Sequence, residues 1–153
     1  MYHRILVATD GSSGAAAAVE RALDFAQRYD AELHVLYVVD TNLVPLDTHA
    51  QRVLRYLQEE GEMSVETAVG QSTDSGIETV VGSVREGDPS ESILCYVDDN
   101  DIDLVVLGTH GRRGVERYLL GSVAERVVRQ SPVPVLTVRT AETGENRPPS
   151  RMS

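Results

Sequence analysis

Short apolar segments alternate with helical patterns along almost the whole chain, and this alternation constrains the fold more than any other feature. Apolar runs typical of strands lie at residues 5–8, 33–39, 77–84, 103–107 and 135–138, and the stretches at 14–29, 48–69, 89–98 and 123–130 carry apolar residues at helical spacing. Such runs are typical of parallel strands buried on both faces by helices. We therefore predict one α/β domain over residues 1–140, a doubly wound, five-stranded parallel sheet of Rossmann type with helices on both faces.

Local signals mark several of the predicted boundaries. Residues 10–13 (Asp-Gly-Ser-Ser) are typical of a turn and a helix cap, and Asp88 followed by Pro89 predicts another helix start. Gly61 weakens the case for a continuous second helix, because glycine costs about 1 kcal/mol relative to alanine in a helix. Residues 141–153 have no apolar periodicity, and we predict a disordered tail there.

Composition argues against several classes of protein. The formal net charge of −10 disfavours general nucleic-acid binding, because contacts to phosphates supply most of that affinity. No apolar run approaches the roughly 20 residues of a transmembrane helix, and the early strand pattern predicts no signal peptide. The single cysteine, Cys95, fits a reducing compartment, and its helical context predicts an inert buried thiol. Together these features predict a cytoplasmic protein without a membrane segment.

The basic residues are of one type: all fourteen are arginine, and there is no lysine. An acidic, lysine-free surface would suit a cytoplasm of high salt, where repulsion between like charges is screened. A bias in base composition would produce the same replacement of lysine by arginine. Both explanations stay open at the level of sequence.

A loop containing glycines follows the fourth predicted strand. It contains Gly108, Gly111 and Gly121, and Ser122 comes directly before a helical pattern. Glycines let backbone amides approach an anion, and the helix dipole favours negative charge at that point. The segment lacks the Gly-Lys-[Ser/Thr] ending of a Walker A loop, and its position does not fit the dinucleotide fingerprint. It predicts a phosphate-binding loop, with tight turns and helix starts as the structural alternative.

The predicted architecture places this loop where a ligand is expected. A doubly wound sheet reverses its winding at one strand, and ligands bind at the carboxyl ends of the strands that flank this point. The residues at those ends are 9–11, 38–40 and Gly108. We therefore expect the loop and two strand ends to meet in one site.

Four further blocks of sequence, taken with this loop, resemble the universal stress protein family. They are residues 5–12 (Ile-Leu-Val-Ala-Thr-Asp-Gly-Ser), 37–40 (Tyr-Val-Val-Asp), 87–89 (Gly-Asp-Pro) and 131–138 (Ser-Pro-Val-Pro-Val-Leu-Thr-Val). The spacing Gly-x2-Gly-x9-Gly-Ser is similar to the ATP-binding signature of that family. The resemblance extends from Tyr2 to Arg139 and fits the ATP-binding branch of the family better than the branch without the signature.

The resemblance implies roles for individual residues. Asp10 would accept hydrogen bonds from the ribose hydroxyls, and Val38 would contact adenine through its backbone groups and apolar side chain. The phosphates of ATP would be bound by Gly108, Gly111, Gly121, Ser122 and Val123. Ala8 stands where the family commonly has proline, so the apolar wall against the nucleotide differs there. Mg²⁺ or Mn²⁺ would be held mainly by the phosphates, because the sequence offers no carboxylate set to cage the ion.

Structural alternatives stay open for the same residues. Asp10 and Ser122 could act only as helix caps, and Val38 could be ordinary core. We interpret His110 as a loop residue rather than a catalytic base. Residues 112–113 (Arg-Arg) either neutralise phosphate charge or are solvated.

Three functions are compatible with this sequence. The first is a cytoplasmic ATP-binding regulator that works through conformation or partner binding; the second is a slow ATPase or autophosphorylating enzyme; the third is an ATP-independent interaction protein. Efficient phosphoryl transfer is disfavoured, because no general base with a carboxylate partner is evident. The segment Val133–Val138 would form a sheet edge, and the resemblance suggests that two such edges pair in a homodimer.

Overall fold

Five parallel strands with helices on both faces make up the part of the chain that the computed structural model describes, residues 1–109 and 121–139. In chain order the elements are β1 (Arg4–Thr9), α1 (Ser13–Tyr29), β2 (Glu32–Asp40), α2 (Ala50–Asp74), β3 (Val80–Gly87), α3 (Pro89–Asp99), β4 (Leu104–Gly108), α4 (Ser122–Gln130) and β5 (Val135–Val138). A short 3-10 turn, Thr41–Leu43, follows β2. The predicted fold is confirmed, whereas the predicted tail at 141–153 lies outside the described residues.

The strands are arranged in the order β3-β2-β1-β4-β5, and every pair is parallel. The chain moves outward from β1 through β2 to β3, then crosses back to β4 on the other side of β1. The winding therefore reverses between β1 and β4, and the carboxyl ends of both strands lie at the same edge of the sheet.

The core forms two layers, one on each face of the sheet. Successive strand residues point to opposite faces, so Ile5 and Val7 of β1 lie in one layer and Leu6 in the other. The first layer is completed by small and apolar residues of α1 and α2, including Ala18, Ala22, Ala26, Leu57 and Val65. The second is completed by residues of α3 and α4, including Ile93, Tyr96, Val97, Ala124 and Val127. Among the described helices, none is long and apolar enough to cross a membrane.

The second helix is longer and more regular than the sequence suggested. It runs without a break from Ala50 to Asp74, beyond the predicted end at residue 69. Gly61 does not interrupt it, because this glycine packs against the ring of Tyr37. A Cβ at residue 61 would lie 2.6 Å from Cδ1 of Tyr37, so glycine is required here by contact with β2.

The start of the third strand was predicted wrongly. The expected strand at 77–84 begins instead at Val80, and Ile77 belongs to the turn that closes α2. The Ile77 amide donates to the carbonyl of Ser72 at 3.3 Å, and the side chain is buried in the first core layer. Burial without strand pairing accounts for the misplaced boundary.

The prediction of a buried cysteine is also wrong. Cys95 lies on α3 and is exposed, while Ile93, Tyr96 and Val97 of the same helix are buried. The buried positions follow the i, i+3, i+4 spacing of one helix face, which directs residue 95 to the solvent side.

Candidate functional site

A cavity of about 390 Å³ lies at the carboxyl ends of β1, β2 and β4. All the predicted site residues in the described part of the chain line it: Ala8, Asp10, Val38, Gly108, Gly121, Ser122 and Val123. Gly111 lies outside the described residues, as do His110 and residues 112–113. The fold therefore brings together residues from three strand ends and one helix start, at the edge where the winding reverses.

Several residues of the cavity were not predicted from the sequence. Asp40 was expected as part of the β2 end, residues 38–40, but Pro89 was not, although it lies two residues after the end of β3 and the same strand-end rule could have found it. Leu57 of α2 and Ile93 of α3 also line the cavity. Nothing in their local sequence distinguishes them from other core residues, and only tertiary packing brings them to the site.

The end of β2 extends past the end of β1. Pairing between these strands stops at Thr9 and Tyr37, whereas β2 pairs with β3 as far as Asp40. The Glu32 amide donates to the carbonyl of His3, which directly precedes β1. The backbone amides and carbonyls of the even-numbered residues of β2 therefore point toward β1. The carbonyl of Val38 and the amide of Asp40 consequently face the side on which β1 has already ended.

The chain turns sharply away after β1. The Gly11 amide donates to Oγ1 of Thr9 at 3.2 Å, and the Ser12 amide donates to Oδ1 of Asp10 at 2.9 Å. Oγ of Ser12 accepts from the Ala15 amide and caps α1. The structural alternative in which Asp10 caps α1 is therefore wrong, because Ser12 has that role.

The first turn of α4 lines the cavity with residues whose amides have no partner within the helix. Gly121 is the N-cap, none of the described side chains caps the helix, and Ser122 is its first residue. The structural alternative in which Ser122 is the cap is thus wrong. The amides of residues 122–124 precede the first intrahelical bond, from the Glu125 amide to the Gly121 carbonyl. By contrast, α1 and α3 are capped by the side chains of Ser12 and Asp88.

Gly108 allows β4 to approach the start of α1 closely. A Cβ at this position would lie 2.8 Å from the carbonyl oxygen of Gly14 and 3.0 Å from its carbonyl carbon. Both are backbone atoms, so relief by rotation of a side chain is not available. This glycine therefore has a packing function at the same edge of the sheet as the cavity.

Asp88 lies beside the cavity at the start of α3, and its carboxylate accepts several hydrogen bonds. The Glu91 amide and then the Ser90 hydroxyl are the main groups that hold the pKa of Asp88 below its ordinary value. Partial burial acts in the opposite direction, and smaller lowering effects come from Arg126, whose Nη1 lies 3.1 Å from Oδ2 of Asp88, and from the side chain of Asn42.

Comparison with known proteins gives consistent matches over nearly the whole chain. The model of the universal stress protein family matches residues 1–139. A universal stress protein of Methanocaldococcus jannaschii is 34% identical over 142 residues, which cover 91% of this chain and 83% of the relative.

Solved structures agree with this match. The universal stress protein UspA from Lactobacillus plantarum superposes with a TM-score of 0.83 at 28% identity, covering 90% of this chain and 98% of that one. A universal stress protein solved in complex with cAMP has a TM-score of 0.72 at 26% identity, covering 92% and 99%. Because the family model matches residues 1–139 and the relatives cover nearly the whole chain, these findings show that the chain belongs to the universal stress protein family.

Proposed function

We propose that this protein is an ATP-binding regulatory module in which the bound nucleotide changes conformation or partner binding. One observation carries the proposal: the uncapped start of α4 and the free side of the β2 end open onto the same cavity. The related structure solved with cAMP supports an adenine nucleotide as the class of ligand. The phosphates would lie at α4, the ribose at Asp10 and the base at Val38.

The spacing of the strands fits an extended nucleotide. Neighbouring strands lie about 4.8 Å apart, so the ends of β4 and β2, with β1 between them, are separated by about 10 Å. This distance is comparable to the separation between the base and the phosphates of a nucleotide. The ribose would then lie over the end of β1, next to Asp10.

The backbone at the end of β2 favours adenine over guanine. The Val38 carbonyl is an acceptor and the Asp40 amide is a donor, two residues apart on the same side of the strand. Adenine presents an amino donor beside a ring-nitrogen acceptor, which complements this pair, whereas guanine presents the opposite order. We therefore expect ATP to bind more tightly than GTP.

A divalent cation would assist the binding of the phosphates. The described residues that line the cavity include Asp10 and Asp40 but no lysine, arginine or histidine. Within residues 1–109 and 121–139 there is also no cluster of three or more metal-binding side chains. Mg²⁺ or Mn²⁺ would therefore be held mainly by the phosphates, and removal of the ion should weaken ATP binding.

Binding without efficient turnover is the activity that we propose. Phosphoryl transfer requires a positioned nucleophile and stabilisation of the developing charge. Thr9, Thr109 and Ser122 are among the residues that line the cavity, but its described lining has no histidine, and Asp10 accepts from the Ser12 amide. Incubation with MgATP should give little ADP and no phosphorylated hydroxyl by mass spectrometry. Rapid turnover that a loop variant abolishes would favour the ATPase alternative.

We further propose a homodimer formed through the segment Val133–Val138. Strand β5 pairs with β4 on one side, and its other side has no strand partner in the described part of the chain. The carbonyls of Pro134 and Val138 accept from the β4 side, so the Thr137 amide points away from β4. Thr137→Pro should remove an outward donor and convert a dimer into monomers in sedimentation experiments. A wild type that is monomeric at micromolar concentration would contradict this.

We also propose that the protein works in the cytoplasm. A single cysteine excludes a disulfide within the chain and is typical of proteins from reducing compartments. Fractionation of cells that express the protein should recover it with the cytosolic markers.

Equilibrium titration with MgATP tests the proposed binding. Asp10→Ala and Gly121→Val should each abolish or strongly weaken binding, because they alter the ribose contact and the start of α4. Asp98→Ala and Gly70→Val are matched controls, because Asp98 and Gly70 are exposed and lie away from the cavity. The controls should bind as the wild type does. Unchanged affinity in both site variants would remove the proposed function.

A further inference from the structure

One carboxylate connects three of the elements that surround the cavity. Oδ2 of Asp88, at the start of α3, accepts from Ser90 Oγ at 2.8 Å, the Glu91 amide at 3.1 Å and Nη1 of Arg126 at 3.1 Å. The residue before Asp88, Gly87, pairs with Asp40 at the end of β2, and the side chain of Asn42 contributes to the lowered pKa of Asp88. Asp88 thus joins its own helix to α4 through Arg126 and directly follows the residue that is paired with the end of β2.

These connected elements bind opposite ends of the proposed nucleotide. Arg126 lies one helical turn after Ser122, which lines the cavity where the phosphates would be bound. Asn42 lies at the base end, where its amide donates to Oδ1 of Asp40 at 2.9 Å. Strand pairing between Asp40 and Gly87, followed by the ion pair of Asp88 with Arg126, therefore connects the end of β2 to α4.

We propose that Asp88 is a positioning residue for the nucleotide site: it holds the start of α4 in register with the end of β2, so that phosphates and base are bound together. The inference rests on the proposed ATP binding. Asp88 itself is not among the residues that line the cavity, but its neighbour Pro89 is. Elements that are fixed before binding require less ordering when the ligand arrives, which increases affinity.

The Asp88→Asn variant should change ATP affinity in opposite directions if Asp88 is only a helix cap and if it positions α4. Asparagine caps helices as well as aspartate does, so Asp88→Asn should retain the start of α3. The substitution also removes a negative charge near the phosphates and releases Arg126 from its ion pair. If Asp88 were only a cap, the variant should bind ATP more tightly because repulsion decreases. If Asp88 positions α4, the variant should bind ATP more weakly.

The experiment is a titration of wild type, Asp88→Asn, Arg126→Gln and the double variant with MgATP and with adenosine. We expect each single variant to weaken ATP binding by roughly three- to tenfold, in the range of couplings within one hydrogen-bonded network. The affinity for adenosine, which would occupy only the base and ribose end of the cavity, should change by less than about twofold. The double variant should be no weaker than either single variant, because both act through the same pair.

Asp98→Asn is the control, because it removes the same charge from the exposed far end of α3. It should bind ATP as the wild type does, and thermal melts should show that all variants are folded at the assay temperature. The inference would be overturned if Asp88→Asn bound ATP as tightly as the wild type or more tightly. It would also be overturned if the variants lost as much affinity for adenosine as for ATP, or if the losses of the two single variants added in the double variant. A wild type that binds no ATP would instead remove the proposed function, and the inference with it.

Discussion

Replacement of Gly108 by alanine tests whether this glycine is required by packing as well as by the ligand. The new Cβ would lie 2.8 Å from the carbonyl oxygen of Gly14, 3.0 Å from its carbonyl carbon and 3.4 Å from the Ala15 nitrogen. Real Cβ atoms do not approach backbone atoms this closely, so α1 and β4 must separate.

The expected cost is that of overpacking a close contact. Such insertions cost about 1–3 kcal/mol, and 1 kcal/mol corresponds to about 2–4 °C in Tm for a protein of this size. We therefore expect Gly108→Ala to lower the Tm by about 2–12 °C. Because the contact involves only backbone atoms of α1, little of this cost can be relieved by changes in side-chain rotamers.

Gly70→Ala is a matched control for which we expect a change in stability of the opposite sign. It lies exposed within α2, and a Cβ there would meet no atom within 4 Å. Gly70→Ala should therefore stabilise the protein by about 0.5–1 kcal/mol, because alanine is the better helix former. Thermal unfolding followed by circular dichroism measures both variants. If Gly108→Ala melted at or above the wild-type temperature, the close approach of β4 to α1 would not explain this glycine.

Three further predictions concern Asp88, Cys95 and the net charge. The pKa of Asp88 is lowered in the folded protein, so its carboxylate stabilises the fold above its ordinary titration range and loses this effect as the pH falls through the lowered pKa. Urea unfolding should therefore show Asp88→Ala to be less stable by about 1 kcal/mol near neutral pH, with a smaller difference below about pH 4; a difference that is constant with pH would contradict this. Cys95 is exposed and away from the cavity, so it should react with a thiol reagent in the native protein without change in ATP affinity, and a need for denaturant would contradict its placement. Since the net charge is −10, the Tm should increase from low to molar salt, whereas melting that is indifferent to salt would exclude a salt adaptation.

The sheet could be predicted from sequence because parallel strands buried on both faces appear as continuous apolar runs. The same reasoning failed at the start of β3, because a residue can be buried without being paired in the sheet. Ile77 is buried in the turn after α2, and the strand begins only at Val80. Cys95 shows the related limit for helices. In a run of five apolar residues, periodicity cannot tell which face is buried until the packing of α3 is known.

The residues at strand ends could also be predicted, because topology alone brings Asp10, Val38 and Gly108 to one edge. The network around Asp88 could not. Its helix cap was evident from the local sequence, but Arg126 lies 38 residues away along the chain and reaches Asp88 only through the packing of α3 against α4. Leu57 and Ile93 line the cavity for the same kind of reason.

A crystal structure of the protein grown with MgATP tests the central claim most directly. We predict that phosphate oxygens accept from the amides of residues 122–124, that the ribose hydroxyls donate to Asp10, and that the adenine edge pairs with the Val38 carbonyl and the Asp40 amide. ATP bound at another surface, or bound in this cavity with the base at α4, would contradict the account, as would an empty cavity at saturating MgATP.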